Sequence, residues 1–263
     1  MKAAIVYLVR STQVDVIDLI RSLISLKKFF LNKYPYPVIL LVEPTFKEEW
    51  RCQVAQELRD SINFTFADII FNIKGLESVP RIINLGQQNW PLGYRHMCRF
   101  WSGGFLTNHT IAEYDYVWRM DTDAYLTHQV DHDIFQRMCD NKVTYAYSNT
   151  THDVAEVCVG LDDASRTFFN MKGYQYRWEP FKMYTTHVEI MHVPTMKNSD
   201  YFEYYKALDK HPYNGFYMRR WGDAPIRYIA FSNLPNLKTM KMDVSYVHGN
   251  DGSGRREQIR TST

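Results

Sequence analysis

Nothing in this 263-residue sequence approaches the roughly 18 consecutive apolar residues of a membrane-spanning helix. The opening MKAAIVYLVR stops being apolar at Arg10, so it reads as a first buried strand and not as a signal peptide or anchor. Charge of one sign is also missing. Lys plus Arg number 31 and Asp plus Glu 29, which leaves no basic block for nucleic acid and no acidic tail to argue for disorder. Cysteine is scarce. Cys52, Cys98, Cys139 and Cys158 form no CxxC pair, which argues against a cysteine-built zinc cluster and leaves disulfides open. Neither GxGxxG nor GxxxxGKS follows the first strand, so the dinucleotide fingerprint and the P-loop are absent.

What is present is a 45% apolar chain with 15% aromatics, including 19 Tyr and 6 Trp. That length and apolar content suffice for one large domain or two closely fused lobes. The aromatics suit either a ring-rich core or a site that stacks on sugar faces while keeping a polar handle. The apolar runs AAIVYLV (3–9), PVILLVE (37–43) and DIIFNIK (68–74) read as buried strands. Between them lie amphipathic stretches, the first with Ser11 as its expected N-cap. Strand, helix, strand, helix, strand predicts a βαβ arrangement with a parallel sheet, whose ligands sit beyond the carboxyl ends of the strands.

Later segments follow the same logic. YRHMCRFWSGGFL predicts a helix broken at Gly103-Gly104, YDYVWRM a strand, HDIFQRMCD a helix and KVTYAYS a strand. TTHVEIMHV reads as a strand and NSDYFEYYKALDK as a capped helix. RWGDAPIRYIAFS reads as a turn and then a helix, and MKMDVSYVHG as a late strand. The segment 250–263 is Gly/Ser-rich and charged, and is expected to be a flexible tail.

The chemistry gathers at Asp121-Thr122-Asp123, directly after the apolar strand YVWRM. Residues i and i+2 of an extended chain point the same way, so both carboxylates can face one cation. Hard divalent ions take oxygen ligands and keep positions free for phosphate oxygens. The plain alternative is a pair of solvated turn residues, since D-x-D is a short motif.

The strings YRHMCRFWSGGF, YVWRMDTD, VEI, GFYMRRWGDAPIRYIA and VSYVHG resemble, in order and spacing, the fungal Golgi α-1,2-mannosyltransferases of glycosyltransferase family 15. The resemblance runs from about Ala3 to Gly249. It implies a GT-A (Rossmann-like) α/β fold, with a mixed, mostly parallel sheet flanked by helices, as a single domain over 1–249. The donor half would be about 1–125 and the acceptor half about 126–249. It further implies Mn²⁺ or Mg²⁺, a GDP-mannose donor, a mannoside or glycan acceptor, and transfer with retention. The family are Golgi type II membrane proteins. As given, this chain is expected to be soluble, either cytoplasmic or the luminal catalytic part without its anchor.

Carried over position by position, Asp121 falls where the family has the Glu of an EPD triplet, a metal ligand there. Here it is one methylene shorter, and the fixing proline is gone. Asp123 matches the third position of that triplet, and His248 matches the second metal ligand. Glu189 aligns with the candidate nucleophile. Asp223 in RWGDAP is the second candidate carboxylate, as acceptor contact or base. Its other reading is an N-cap, with Pro225 in the first turn. Arg119, two residues before Asp121, could neutralise a pyrophosphate. Arg10, at the end of the first strand, is a donor contact. Tyr94 matches a position near the diphosphate, where a phenol hydrogen-bonds or stacks. Trp221 and Tyr217 are candidates for stacking on acceptor sugars, with core packing as the alternative. Another nucleotide-sugar donor, or a non-catalytic carbohydrate-binding homologue, stays open at this point.

Overall fold

The computed structural model describes residues 1–59, 61–71, 78–85, 88–210 and 215–249. Its first half alternates as the apolar runs anticipate: β1 (Ala3–Val9), α1 (Gln13–Leu26), β2 (Val38–Val42), α2 (Glu48–Leu58) and β3 (Phe64–Asp68). A hairpin of β4 (Ile82–Leu85) and β5 (Gln88–Pro91) leads into α3 (Leu92–Ser102) and then β6 (Tyr116–Met120). Next come β7 (Ala124–Leu126), α4 (Ile134–Asp140), β8 (Tyr145–Tyr147), β9 (Thr150–His152), α5 (Leu161–Met171) and β10 (Lys182–Tyr184). The chain continues with β11 (Val188–His192), α6 (Val193–Lys197), α7 (Asp200–Leu208), α8 (Gly215–Met218), α9 (Asp223–Asn233), β12 (Thr239–Lys241) and β13 (Tyr246–His248).

Seven strands build the central sheet in the order β12-β8-β11-β6-β1-β2-β3. β1 is parallel to β2 and β6, β2 to β3, and β12 to β8, while β11 runs against both of its neighbours. The inner strands β1 and β2 are continuous apolar runs because helices cover both faces of the sheet, while β6 and β11 each carry one buried charge, Arg119 and Glu189. Alternate residues of β1 show this. Ile5, Tyr7 and Val9 join a core with α1, α2 and α4, whereas Ala4 and Val6 join one with α3, α7 and α9. No described helix is long and apolar enough to cross a membrane. All four cysteines are unpaired.

Several local readings shift. The third strand is Phe64–Asp68, in register with β2 from Val38 to Val42, and not 68–74. It is an edge strand with half-buried side chains, so it carries no continuous apolar run. Ile70, inside the run that suggested the later boundary, is 64% exposed. Residues 72–74 of that run, like the expected tail, lie outside the described residues. Thr12, not Ser11, caps α1 and accepts from Asp15 N, while Ser11 Oγ sits 2.9 Å from Thr45 Oγ1. The late strand is two, β12 and β13. α3 ends at Ser102 with Gly103 as its C-cap, where glycine is needed because a Cβ would meet the Tyr205 ring at 2.2 Å.

Candidate active site

Two strand pairings and a backbone hydrogen bond between them assemble the site. β11 lies antiparallel to β6 with Glu189 opposite Arg119, so their side chains share one face of the sheet. One residue beyond the ladder, Asp121 N donates to His187 O at 2.9 Å, which fastens the start of the DTD triplet to the segment before β11. β13 pairs with β7, placing His248 opposite Ala124, and Gly249 N donates to Asp123 O at 3.0 Å. The cluster thus forms at the carboxyl end of β6, where a ligand site is expected in an open α/β sheet.

Arg119 is the hub. Its side chain is 2% exposed and its guanidinium reaches three carboxylates: Asp121 at 3.1 Å, Asp223 at 2.5 Å and Glu189 at 3.4 Å. Its face also lies over the Trp101 ring at 4.9 Å. The guanidinium is therefore committed to carboxylates rather than presented to solvent. Glu189 is completely buried. Arg227 grips it with a two-bond fork, Nε to Oε2 at 3.1 Å and Nη2 to Oε1 at 3.0 Å. Asp223 opens α9 as its first helical residue, and Gly222 is the N-cap. The Asp223 carboxylate turns to Arg119 instead of capping, which corrects the capping reading; its position in the first turn also suits the helix dipole.

His248 Nε2 lies 3.1 Å from Asp123 Oδ1 and 4.0 Å from Asp121 Oδ2. Burial opposes a charge on His248, but the two carboxylates outweigh it and raise its pKa. Burial also opposes ionisation of Asp123, and His248 outweighs it to hold that carboxyl below its ordinary value. Burial pushes Asp121 up despite Arg119 and His248. For Asp223, burial is overcome by Arg119, and its pKa is lowered.

One residue was not singled out in the sequence. His187 stacks on His248 with ring centroids 3.6 Å apart and planes 6° from parallel. Burial, followed by the charges of His248 and Arg119, lowers its pKa to about 3. Among the described residues, Asp121, His187 and His248 are the group that could hold a metal ion, with ligand atoms within 4.8 Å of one another. Asp123 is not one of the three and instead faces His248. The signal was available: His187 stands two positions before Glu189, on the same side of an extended chain.

The charge balance also fits a cation. With His248 neutral, as a metal ligand is, the four carboxylates of Asp121, Asp123, Glu189 and Asp223 exceed the two guanidiniums of Arg119 and Arg227 by two charges, which a divalent ion would offset.

The other candidates lie at varying distances from this cluster. Tyr94 accepts from Arg220 Nη2 at 2.8 Å; Arg220 also donates to Asp153 at 2.9 Å and lies over the Trp90 ring at 4.0 Å. Burial pushes the Tyr94 phenol up, with smaller contributions from Cys98 and Asp223. Arg10 follows β1, is 74% exposed and is held by Asp15 at 3.1 Å. Tyr217 and Trp221 are 3% and 2% exposed, so both are core residues and neither offers a ring face to a sugar. The YRHMCR segment is largely fastening. Arg95 donates to the Tyr217 and Pro80 carbonyls, His96 Nδ1 sits 2.9 Å from Tyr217 Oη, and Arg99 forks onto Asp209 with two contacts of 2.6 Å.

Comparisons with known proteins agree with this architecture. Over 94% of its length this chain superposes, at TM-score 0.80 and 22% identity, on 71% of the mannosyltransferase Ktr4p from S. cerevisiae in complex with GDP. Core-mannan synthase A from Aspergillus fumigatus, in its Mn/GDP form, gives TM-score 0.79 at 22% identity, covering 94% of this chain and 74% of that one. These likenesses give the fold as GT-A-type α/β. In sequence, the chain is 27% identical over 276 residues to the glycolipid 2-alpha-mannosyltransferase of Saccharomyces cerevisiae, covering 94% of itself and 60% of that protein. It is 28% identical over 286 residues to the O-glycoside alpha-1,2-mannosyltransferase omh1 of Schizosaccharomyces pombe, covering 96% of itself and 70% of that protein. With residues 1–261 matching the family described as glycolipid 2-alpha-mannosyltransferase, the chain belongs to that family.

Proposed function

We propose that this chain is a divalent-cation-dependent, retaining mannosyltransferase. It moves mannose from GDP-mannose to a mannoside or glycan acceptor and forms an α-1,2 linkage. The observation that carries this reading is the convergence of the DTD triplet, His248, Glu189 and Asp223 around Arg119 at the carboxyl end of β6. The GDP and Mn named with the two related structures support the donor and the cation.

Asp121 and His248 would hold the cation, and His248 is kept aimed by Asp123. When bound, the ion supplies charge stabilisation to a departing diphosphate. Arg119 organises rather than binds: it pins Asp121, Glu189 and Asp223 so that their charges stay fixed as the reaction proceeds. Tyr94 and Arg220 form a neighbouring phenol–guanidinium pair suited to a phosphate or sugar hydroxyl. Arg10 takes the nucleotide side of the donor half (about 1–125), and the half from about 126 to 249 takes the acceptor.

Glu189 could attack the anomeric carbon only by leaving the Arg227 fork, which would strand a buried guanidinium. Stabilising positive charge at that carbon from its present position needs no such movement. We therefore assign Glu189 to electrostatic support in a front-face reaction, and Asp223 to the role of taking the acceptor's proton.

The test is calorimetric titration with GDP and with UDP, each with and without Mn²⁺, followed by transfer from GDP-mannose to methyl α-mannoside. GDP binding that requires the metal, together with transfer, is expected. Metal-dependent binding of UDP alone would overturn the mannose assignment and keep the mechanism class. Binding of neither nucleotide favours a non-catalytic homologue.

A further inference from the structure

We propose that His187 is a third protein ligand of the cation, so that the site is a two-histidine, one-carboxylate set of Asp121, His187 and His248, selective for transition metals over Mg²⁺. The inference rests on the cation-dependent reading above and goes beyond it in naming the ligand and the metal class.

Three features bring His187 to the site. Its ring nitrogen lies within 4.8 Å of ligand atoms on both Asp121 and His248. Its backbone is locked to the triplet, because Asp121 N donates to His187 O at 2.9 Å. Its ring lies against that of His248, with centroids 3.6 Å apart, so the two imidazoles are immediate neighbours.

An ion lies in the plane of each imidazole that binds it, so parallel rings cannot both serve one ion. Joint ligation would therefore require rotation of the rings about their side-chain bonds, out of the stack, to bring their nitrogens together. Two imidazole nitrogens and one carboxylate suit Mn²⁺, Co²⁺ or Zn²⁺. Mg²⁺ dehydrates reluctantly and prefers oxygen.

The experiment is metal binding by the full chain without nucleotide. X-ray absorption of the Zn²⁺-loaded wild-type protein is expected to show two histidine imidazoles. Co²⁺ titration should give a visible ligand-field spectrum, and Mg²⁺ should compete poorly. His187→Asn and His187→Gln are expected to lose about tenfold or more in Co²⁺ affinity, with a changed spectrum and little change in Mg²⁺ binding. A single imidazole in the wild-type signal, or a Co²⁺ spectrum and affinity indifferent to both substitutions, overturns the inference. The wild-type absorption result does not depend on how the variants fold. If GDP still binds with Mn²⁺ while His187 proves silent, the transferase reading survives and only this inference falls. If Co²⁺ binds through His187 but no nucleotide binds, the transferase reading falls and this one stands.

Discussion

Asp121 and His248 stand 127 positions apart in the chain, counting 248 minus 121, yet their side chains approach to 4.0 Å. Replacing either by Ala is expected to abolish metal-dependent GDP binding, read by titration with and without Mn²⁺; wild-type-like binding in either variant removes the cation assignment. Arg227 makes a different kind of contribution. It is fully buried and forks onto a fully buried Glu189. Arg227→Ala should cost about 3–5 kcal/mol of stability, because it leaves the buried Glu189 carboxylate with only its longer contact to Arg119. The paired change Arg227→Met with Glu189→Leu should recover much of that in a urea midpoint yet stay inactive in transfer, since Arg119 loses one of its carboxylates. Asp223 adds a pH signature. Its folded carboxyl titrates below the ordinary 3.8, with burial outweighed by Arg119. Its contribution to stability is complete above that ordinary value and disappears as pH falls through the lower folded value. Asp223→Asn should therefore be less stable than wild type at neutral pH, with the gap closing in acid melts.

Among the elements, the inner strands were readable because a strand covered on both faces reads as an apolar run, as β1 and β2 do throughout and β6 does but for Arg119. The edge strand β3 was displaced in the reading because half-buried positions give no such run. The hairpin of β4 and β5 was hidden in what read as a polar stretch; its residues are mostly exposed and carry little periodicity. The end of α3 depends on close packing more than on propensity. Three Tyr205 ring atoms lie 2.2–2.7 Å from where a Cβ on Gly103 would stand. Gly103→Ala should cost about 1–3 kcal/mol by overpacking, measured by denaturant unfolding. A neutral result would mean that Tyr205 swings aside at no cost.

At the scale of the whole molecule, a site gathered from four segments couples ligand binding to folding. Mn²⁺ with GDP at about 100 times the dissociation constant should stabilise the native state by about 2.7 kcal/mol. For a chain of this size that corresponds to a rise in melting temperature of roughly 5 °C or more. Scanning calorimetry should show the rise with both components, little with GDP alone, and its reversal by a chelator. An equal rise with GDP and no metal contradicts a shared site. Sequence alone determined the alternation of strands and helices, the absence of phosphate-binding glycine loops, and the carboxylates after YVWRM. These are local patterns, written in periodicity and in short strings such as RWGDAP. It also supplied the far-apart His248 and Glu189, but only through likeness to a family. Tertiary structure decided what those residues touch. That Glu189 faces Arg119 follows from the register of β6 and β11, that His248 meets the DTD triplet and His187 from the pairing of β13 with β7, and that Asp223 and Arg227 close on Arg119 and Glu189 from the packing of α9 against the sheet. Register is a long-range property. It is set by which strands pair and by how their buried faces must align, and no window of the sequence contains it.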